Sequence, residues 1–95
     1  LSTTEHAIHE MIHTLSVFPN PATSKLNLIA DFGTGLVKGS IYNTSGRQLI
    51  QFENYVGPSS KSVIVSDIKK LSAGIYFIHI KGTNGMFRGK FIKNQ

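Results

Sequence analysis

The sequence predicts one small all-β domain, an antiparallel β-sandwich of about seven strands. Seven short runs are rich in Val, Ile, Phe and Tyr, and turn-forming residues separate them at regular intervals. No long helical segment connects two of the runs, which argues against a parallel α/β sheet. The predicted strands cover residues 15–18, 25–30, 36–43, 48–53, 62–66, 75–81 and 86–93.

A sandwich needs strands with one apolar face, and three of the runs show that alternation. The alternating residues are Leu26, Leu28 and Ala30, then Tyr76, Ile78 and Ile80, then Phe87, Gly89 and Phe91. The chain has 95 residues, the size of a single domain, and it contains no cysteine. Packing rather than disulfide bonds therefore has to stabilise the fold.

Residues 1–14 differ in character from the rest of the chain. Ile8, Met11, Ile12 and Leu15 recur at helical spacing, which predicts a short helix. Because an isolated helix of this length is marginal in water, we interpret residues 1–14 as a linker or the tail of an upstream domain. We place the folded domain at residues 15–95. Because the chain starts at Leu1, without a basic and apolar leader, we expect it to be a piece of a longer protein.

A metal-binding motif lies in this first segment. His9, Glu10 and His13 fit the pattern H-E-x-x-H, in which two imidazoles on one helix face hold zinc and the Glu acts as general base. His6 would lie on the same face. A catalytic zinc site also needs a third protein ligand and a surrounding cleft, and so short a terminal segment supplies neither. We predict no metal site, and leave open whether the motif binds metal adventitiously.

The remaining reactive side chains do not form a catalytic constellation. Ser45 lies in a turn, and the acids Asp31, Glu53 and Asp67 are scattered without pairing for acid–base work. No glycine-rich phosphate loop is present, because Gly-Lys-Ser/Thr does not follow Gly33-Thr34-Gly35. We therefore expect a protein that is not an enzyme and needs no cofactor.

The positive charge favours an anionic partner without indicating nucleic acid. The net charge is +5, and residues 68–95 carry six Lys or Arg and no acidic residue. Strand alternation places Phe87 and Phe91 on one face and Arg88 on the other, so the aromatic rings belong to the core rather than to a base-stacking surface. An ordinary solvated face with a chance imbalance of charge is the alternative interpretation.

Four motifs, in order along the chain, resemble a known family. They are Val17-Phe18-Pro19-Asn20-Pro21-Ala22, Ile41-Tyr42-Asn43-Thr44-Ser45-Gly46-Arg47, Leu71-Ser72-Ala73-Gly74-Ile75-Tyr76-Phe77-Ile78 and Gly89-Lys90-Phe91-Ile92-Lys93. With these motifs, residues 15–95 resemble the type A C-terminal sorting domain of proteins exported by the type IX (Por) secretion system. Asn43 departs from the family pattern, in which Asp is frequent before the turn.

The resemblance implies an immunoglobulin-like fold and a role as a secretion signal. Members of the family target a larger cargo protein through the periplasm and across the outer membrane to the cell surface or medium. The implied partners are the translocon with its shuttle proteins, a sortase-like peptidase that removes the domain, and the upstream cargo domain. The implied cleavage region is the linker, residues 1–14.

Within that resemblance, we expect the last strand to make the main contact with the translocon. The residues are Lys90, Phe91, Ile92 and Lys93, and a strand at a sheet edge can pair with a partner through its main chain. The same edge pairing would allow a dimer. The alternative is that Phe91 fills the core and the lysines protect the edge from aggregation.

A different function for the same fold is an adhesion or carbohydrate-binding module. Such a module needs exposed aromatic side chains, for which Phe32 and Tyr55 are the loop candidates. The chain contains no Trp, the aromatic residue most used to stack on sugars, so the sequence favours the sorting role.

Overall fold

The computed structural model describes residues 12–65 and 67–95, and within them the fold is all-β, as predicted. Each of the seven predicted runs contains a strand, and an additional short strand precedes the first of them. The strands are β1 (Ile12–Thr14), β2 (Ser16–Phe18), β3 (Leu26–Ile29), β4 (Gly35–Tyr42), β5 (Gln48–Val56), β6 (Ser62–Val65), β7 (Gly74–Gly82) and β8 (Gly85–Lys93), with one 3₁₀ turn at Asp67–Lys70.

Two sheets face each other, as in an immunoglobulin-like sandwich. One sheet has five strands in the order β1-β8-β7-β4-β5, and the other has three in the order β2-β3-β6. Among the described strands, β1 runs parallel to β8 and all other neighbours are antiparallel. No helix of the described residues is long and apolar enough to cross a membrane.

The helix predicted for the first segment is wrong at its end, because Ile12–Thr14 form a strand paired with β8. The chain then changes sheets at the buried Leu15, since β1 belongs to the large sheet and β2 to the small one. Three residues assigned to the linker therefore belong to the folded domain. His6, His9 and the rest of that prediction lie outside the described residues.

The core lies between the inner faces of the two sheets, as the alternation predicts. Phe91, Ile78 and Ile80 from the large sheet pack in one cluster with Leu26 and Leu28 from the small sheet, and all five side chains are buried. Burying such side chains contributes about 1.5–3 kcal/mol each relative to exposure. This packing carries the stability of a domain that has no disulfide.

Two local devices shape the ends of the large sheet. The side-chain oxygen of Asn43 accepts hydrogen bonds from the Ser45 N–H at 3.0 Å, the Ser45 hydroxyl at 2.9 Å and the Arg47 N–H at 2.9 Å, which closes the turn between β4 and β5. Gly46 in that turn has φ of +86°, a conformation that residues with a Cβ atom rarely adopt. At the start of β7, the Tyr76 hydroxyl donates to the Ser72 carbonyl at 2.7 Å.

Candidate recognition surface

The four residues predicted to contact the translocon lie on opposite sides of β8. Phe91 is fully buried, and its ring stacks on that of Tyr76 with 5.5 Å between the centroids. Lys93 is only 3% exposed, and its Nζ donates to the Asn94 carbonyl at 2.7 Å. Lys90 and Ile92 point outward and are exposed. Phe91 therefore fills the core, which agrees with one part of the alternative, and Lys90 and Ile92 are the two of the four residues that are open to a partner.

The outer edge of β8 is covered by the chain's own N-terminal segment. Next to the β1 pairing, the Leu15 N–H donates to the Arg88 carbonyl at 2.9 Å. Further along, the Ala22 N–H donates to the Ile92 carbonyl at 2.8 Å, and the Asn20 side-chain oxygen accepts from the Ile92 N–H at 2.8 Å. The expectation that β8 is a free edge is therefore wrong along these stretches. Pairing of a partner or a second copy there would first have to displace residues 12–22.

A glycine permits this close cover. A Cβ atom added to Gly89 would lie 2.9 Å from Cγ2 of Val17 and 3.2 Å from Cβ of Leu15, both closer than normal van der Waals contact. The segment that covers the edge therefore packs directly on the backbone of β8. Any larger residue at position 89 would push the two apart.

The outer face of the large sheet carries an exposed apolar patch, which we define as Ile75, Phe77 and Ile92. These side chains are 49%, 39% and 46% exposed. Ile75 lies opposite Ile92, and Phe77 lies opposite Lys90, on the neighbouring strands β7 and β8. Side chains opposite each other in a sheet are about 5 Å apart at Cβ, so the three form one continuous surface.

Positive charge lies beside the apolar patch. Lys90 and Arg88 are exposed on β8, and neither β7 nor β8 contains an acidic residue. Glu53 lies on β5, two strands away from β7, where its carboxylate is 3.8 Å from the Lys38 ammonium. Partial burial, together with the charge of Arg88, lowers the pKa of the neighbouring His79 below its usual 6.5. The surface is thus both apolar and basic.

Hollows flank Phe77 on two sides. One, of about 440 Å³, is lined by Phe77 together with Asn20, Leu15 and residues 88–90 of β8. The other, of about 400 Å³, is lined by Phe77 with residues from the β4–β5 turn, including Thr44. Both hollows present polar groups beside apolar ones, so the ring of Phe77 stands as a ridge between two shallow depressions.

The other candidate sites do not come together. No group of three or more His, Asp or Glu side chains in the described part of the chain could hold a metal ion. His13 lies on β1 with its ring 5.1 Å from that of Phe87, while His9 and Glu10 lie outside the described residues. Phe32 is fully buried, so its prediction as an exposed aromatic platform is wrong, whereas Tyr55 is 69% exposed on β5.

Comparison with protein families agrees with the fold and with the motifs. Residues 16–94 match the family model of the secretion system C-terminal sorting domain. The chain belongs to this family. No curated protein matches it. As a type IX sorting domain, it acts as a signal that sends an attached cargo across the outer membrane to the cell surface or extracellular space, through interaction with the type IX machinery.

Most of the motif residues that identify the sorting domain have structural roles in the fold. Asn20, between Pro19 and Pro21, accepts the hydrogen bond from Ile92 that fastens the cover to β8. Gly46, followed by Arg47, shapes the β4–β5 turn. Leu71 packs against the core, Gly74 opens β7, and Tyr76 fixes the approach to that strand. These residues explain why the sorting domain folds, and the exposed patch is a separate feature.

The apolar patch includes two residues of the sorting domain that the sequence analysis did not select, Ile75 and Phe77. A signal for them was present, because the alternation that places Tyr76 and Ile78 in the core places residues 75 and 77 on the opposite face. Many apolar side chains of the strands are buried in the core, so Ile75 and Phe77 are candidates for binding because they are apolar and exposed.

Proposed function

We propose that the sorting domain works by binding alone, passing its cargo from the periplasm to the type IX translocon and its shuttle proteins without performing any chemistry. Its membership of the sorting-domain family supports this function. An all-β sandwich that presents an exposed apolar and basic face is suited to a binding role. The cargo is a separate domain upstream, and its activity is independent of this fold.

We further propose that a sortase-like peptidase releases the cargo by cutting on the N-terminal side of Ile12. Peptidases cut segments whose backbone is not held in a sheet. Because Ile12–Thr14 are paired with β8, they are a poor substrate for cleavage. A cut between residues 12 and 22 would also separate the cover from the strand it protects. A cut within residues 1–11 would leave the whole described sandwich intact.

The test is a transplant of the whole 95-residue chain. It is fused behind a periplasm-directed fluorescent protein and expressed in a strain with an active type IX system and in a matched strain without one. We expect fluorescence at the cell surface or in the medium only in the first strain. Mass spectrometry of the released protein should show that the sandwich has been removed N-terminal to Ile12.

The matched control has to separate recognition from folding. Deleting residues 90–95 would take Phe91 out of the core, so its failure would report an unfolded domain rather than a lost signal. A fusion with Phe91→Asp serves as the deliberately unfolded reference instead. If the wild-type fusion stays in the periplasm of the active strain, the proposed export function is refuted.

A further inference from the structure

We propose that the apolar patch, together with Arg88 and Lys90, is the docking site for an acidic, aliphatic-rich protein surface of the export machinery. This inference rests on the proposed function and adds to it the contact face and the chemistry of the partner. Ile75, Phe77 and Ile92 would insert into the partner, and the two cations would pair with its carboxylates at the rim.

The first support comes from which side of β8 remains open. The inner side chains, Phe91 and Lys93, are buried in the fold. The outer edge is covered by β1 and by the segment of Asn20 and Ala22. A partner that reads this strand without unfolding the domain therefore meets it through the outer face, where Ile92 and Lys90 are exposed.

The second support is the amount of apolar surface left exposed. Three large apolar side chains, each between 39% and 49% exposed, lie together on adjacent strands. Scattered exposed apolar residues are normal on monomers, but contiguous ones with a polar rim are typical of interaction sites. Aromatic and large aliphatic side chains also contribute most of the binding energy at protein interfaces.

The third support is charge complementarity. Arg88 and Lys90 flank the patch, and the strands that carry it contain no acidic residue. An acidic partner gains attraction at every cation of this face and meets no like charge on β7 or β8. A basic partner would be repelled, so the sign of the field selects the partner as well as speeding its approach.

The shape of this face favours a folded protein over a lipid surface as the binding partner. The hollows of about 440 and 400 Å³ on the two sides of Phe77 can each receive discrete side chains. Asn20 and Thr44 line them and offer hydrogen-bonding groups that a protein can match. Acyl chains would fill the apolar part of these depressions but leave those polar groups without partners.

The test compares one triple variant and one double variant, each with its own control. The patch variant is Ile75→Thr/Phe77→Thr/Ile92→Thr, which keeps β-branched residues in the strands. Its control is Leu36→Thr/Tyr55→Thr, two side chains 51% and 69% exposed at the opposite end of the same sheet. The charge variant is Arg88→Glu/Lys90→Glu, and its control is Lys69→Glu/Lys70→Glu, an exposed pair on the 3₁₀ turn.

Binding is measured with the purified 95-residue domain and detergent-purified type IX translocon from the secreting strain. We expect the patch variant to bind at least roughly tenfold more weakly, because a few central apolar and aromatic side chains supply most of the affinity of a protein interface. The charge variant should bind weakly at about 50 mM NaCl, and raising the salt to about 500 mM should narrow its difference from wild type. Both controls should bind within about twofold of wild type, and thermal unfolding verifies that every variant is folded.

The outcomes separate this inference from the export function. If the wild-type fusion reaches the surface and the folded patch variant does so equally well and binds equally tightly, the inference is wrong and the export function stands. If the patch instead controls binding to phosphatidylglycerol vesicles and not to the translocon, the inference is also wrong, and the face binds membranes. If the patch and charge variants lose translocon binding and delivery together while their controls keep both, the inference is supported.

Discussion

Replacing Asn20 with Ala removes one hydrogen bond that joins the N-terminal cover to the C-terminal strand. Its side-chain oxygen accepts from the Ile92 N–H at 2.8 Å, across 72 positions of sequence. Ala has no acceptor, so the Ile92 N–H has to find water or open outward. The loss is local, because the neighbouring bonds from Ala22 to the Ile92 carbonyl and from Asn94 to the Ala22 carbonyl involve main-chain atoms.

The size of the effect follows from the exposure of the site. A hydrogen bond between uncharged groups contributes about 0.5–1.5 kcal/mol to stability, and the full penalty applies only where water cannot replace the partner. Because Asn20 is exposed, the lower part of the range applies. We expect the free energy of unfolding to fall by about 0.5–1 kcal/mol, which corresponds to a Tm lower by roughly 2–8 °C for a domain of this size.

Amide hydrogen exchange tests the reasoning at the atom concerned. In Asn20→Ala the Ile92 amide should exchange roughly two- to fivefold faster if it opens locally, while the amides of β4 and β7 change no more than global stability requires. Asn20→Asp is the control, since it keeps an acceptor oxygen at the same place. Equal exchange of Ile92 in the Ala and Asp variants would refute this account of the asparagine.

Three further changes test other parts of the structure by urea unfolding. Tyr76→Phe removes the donor to the Ser72 carbonyl and should lower the free energy of unfolding by about 0.5–1.5 kcal/mol. Asn43→Asp should raise it by about 0.5 kcal/mol, because a carboxylate accepts the hydrogen bonds of the β4–β5 turn more strongly than an amide oxygen. The third change is His79→Gln. Because the folded-state pKa of His79 lies below 6.5, the unfolded chain binds the proton more readily, so the wild type should lose stability as the pH falls below 6.5, and the variant should lose less.

Each of these outcomes has a clear contrary result. An unchanged urea midpoint for Tyr76→Phe would mean that water replaces the tyrosine hydroxyl at no cost. A lower midpoint for Asn43→Asp would mean that the turn depends on the amide nitrogen of the side chain. Parallel pH profiles for His79→Gln and wild type would show that the charge of Arg88 and the burial of His79 do not disfavour protonation in the folded state.

The strands were predictable because their signals are local. Alternation of Tyr76, Ile78 and Ile80 with exposed neighbours identifies β7 without knowledge of any other strand. β1 was not predictable in this way, because Ile12–Thr14 form a strand only against residues 86–88 of β8. The helical spacing of a few apolar residues favours a helix only weakly, and pairing with a strand that is distant in the sequence outweighs it.

The candidate surface was predictable in part. The motifs in the sequence pointed to the last strand. The prediction that Phe91 and Lys93 are available to a partner was wrong, because alternation with Phe87 places both side chains on the inner face. The cover over the β8 edge could not be foreseen, since it depends on a side-chain bond from Asn20 and on the close approach of Val17 to Gly89. Contacts of this kind join positions about 70 residues apart and leave no periodic pattern in the sequence.

The meeting of residues 12–22 with β8 has a consequence for the order of folding. The N-terminal cover cannot dock until β8 is present, because the Leu15 and Ala22 N–H groups donate to carbonyls of that strand. Contacts between such distant positions are slow to form, since the intervening chain must first lose its freedom. A chain that lacks β8 would thus present an unfinished N-terminal segment beside its cargo, and we expect completion of the fold to act as a check that the whole signal has been made.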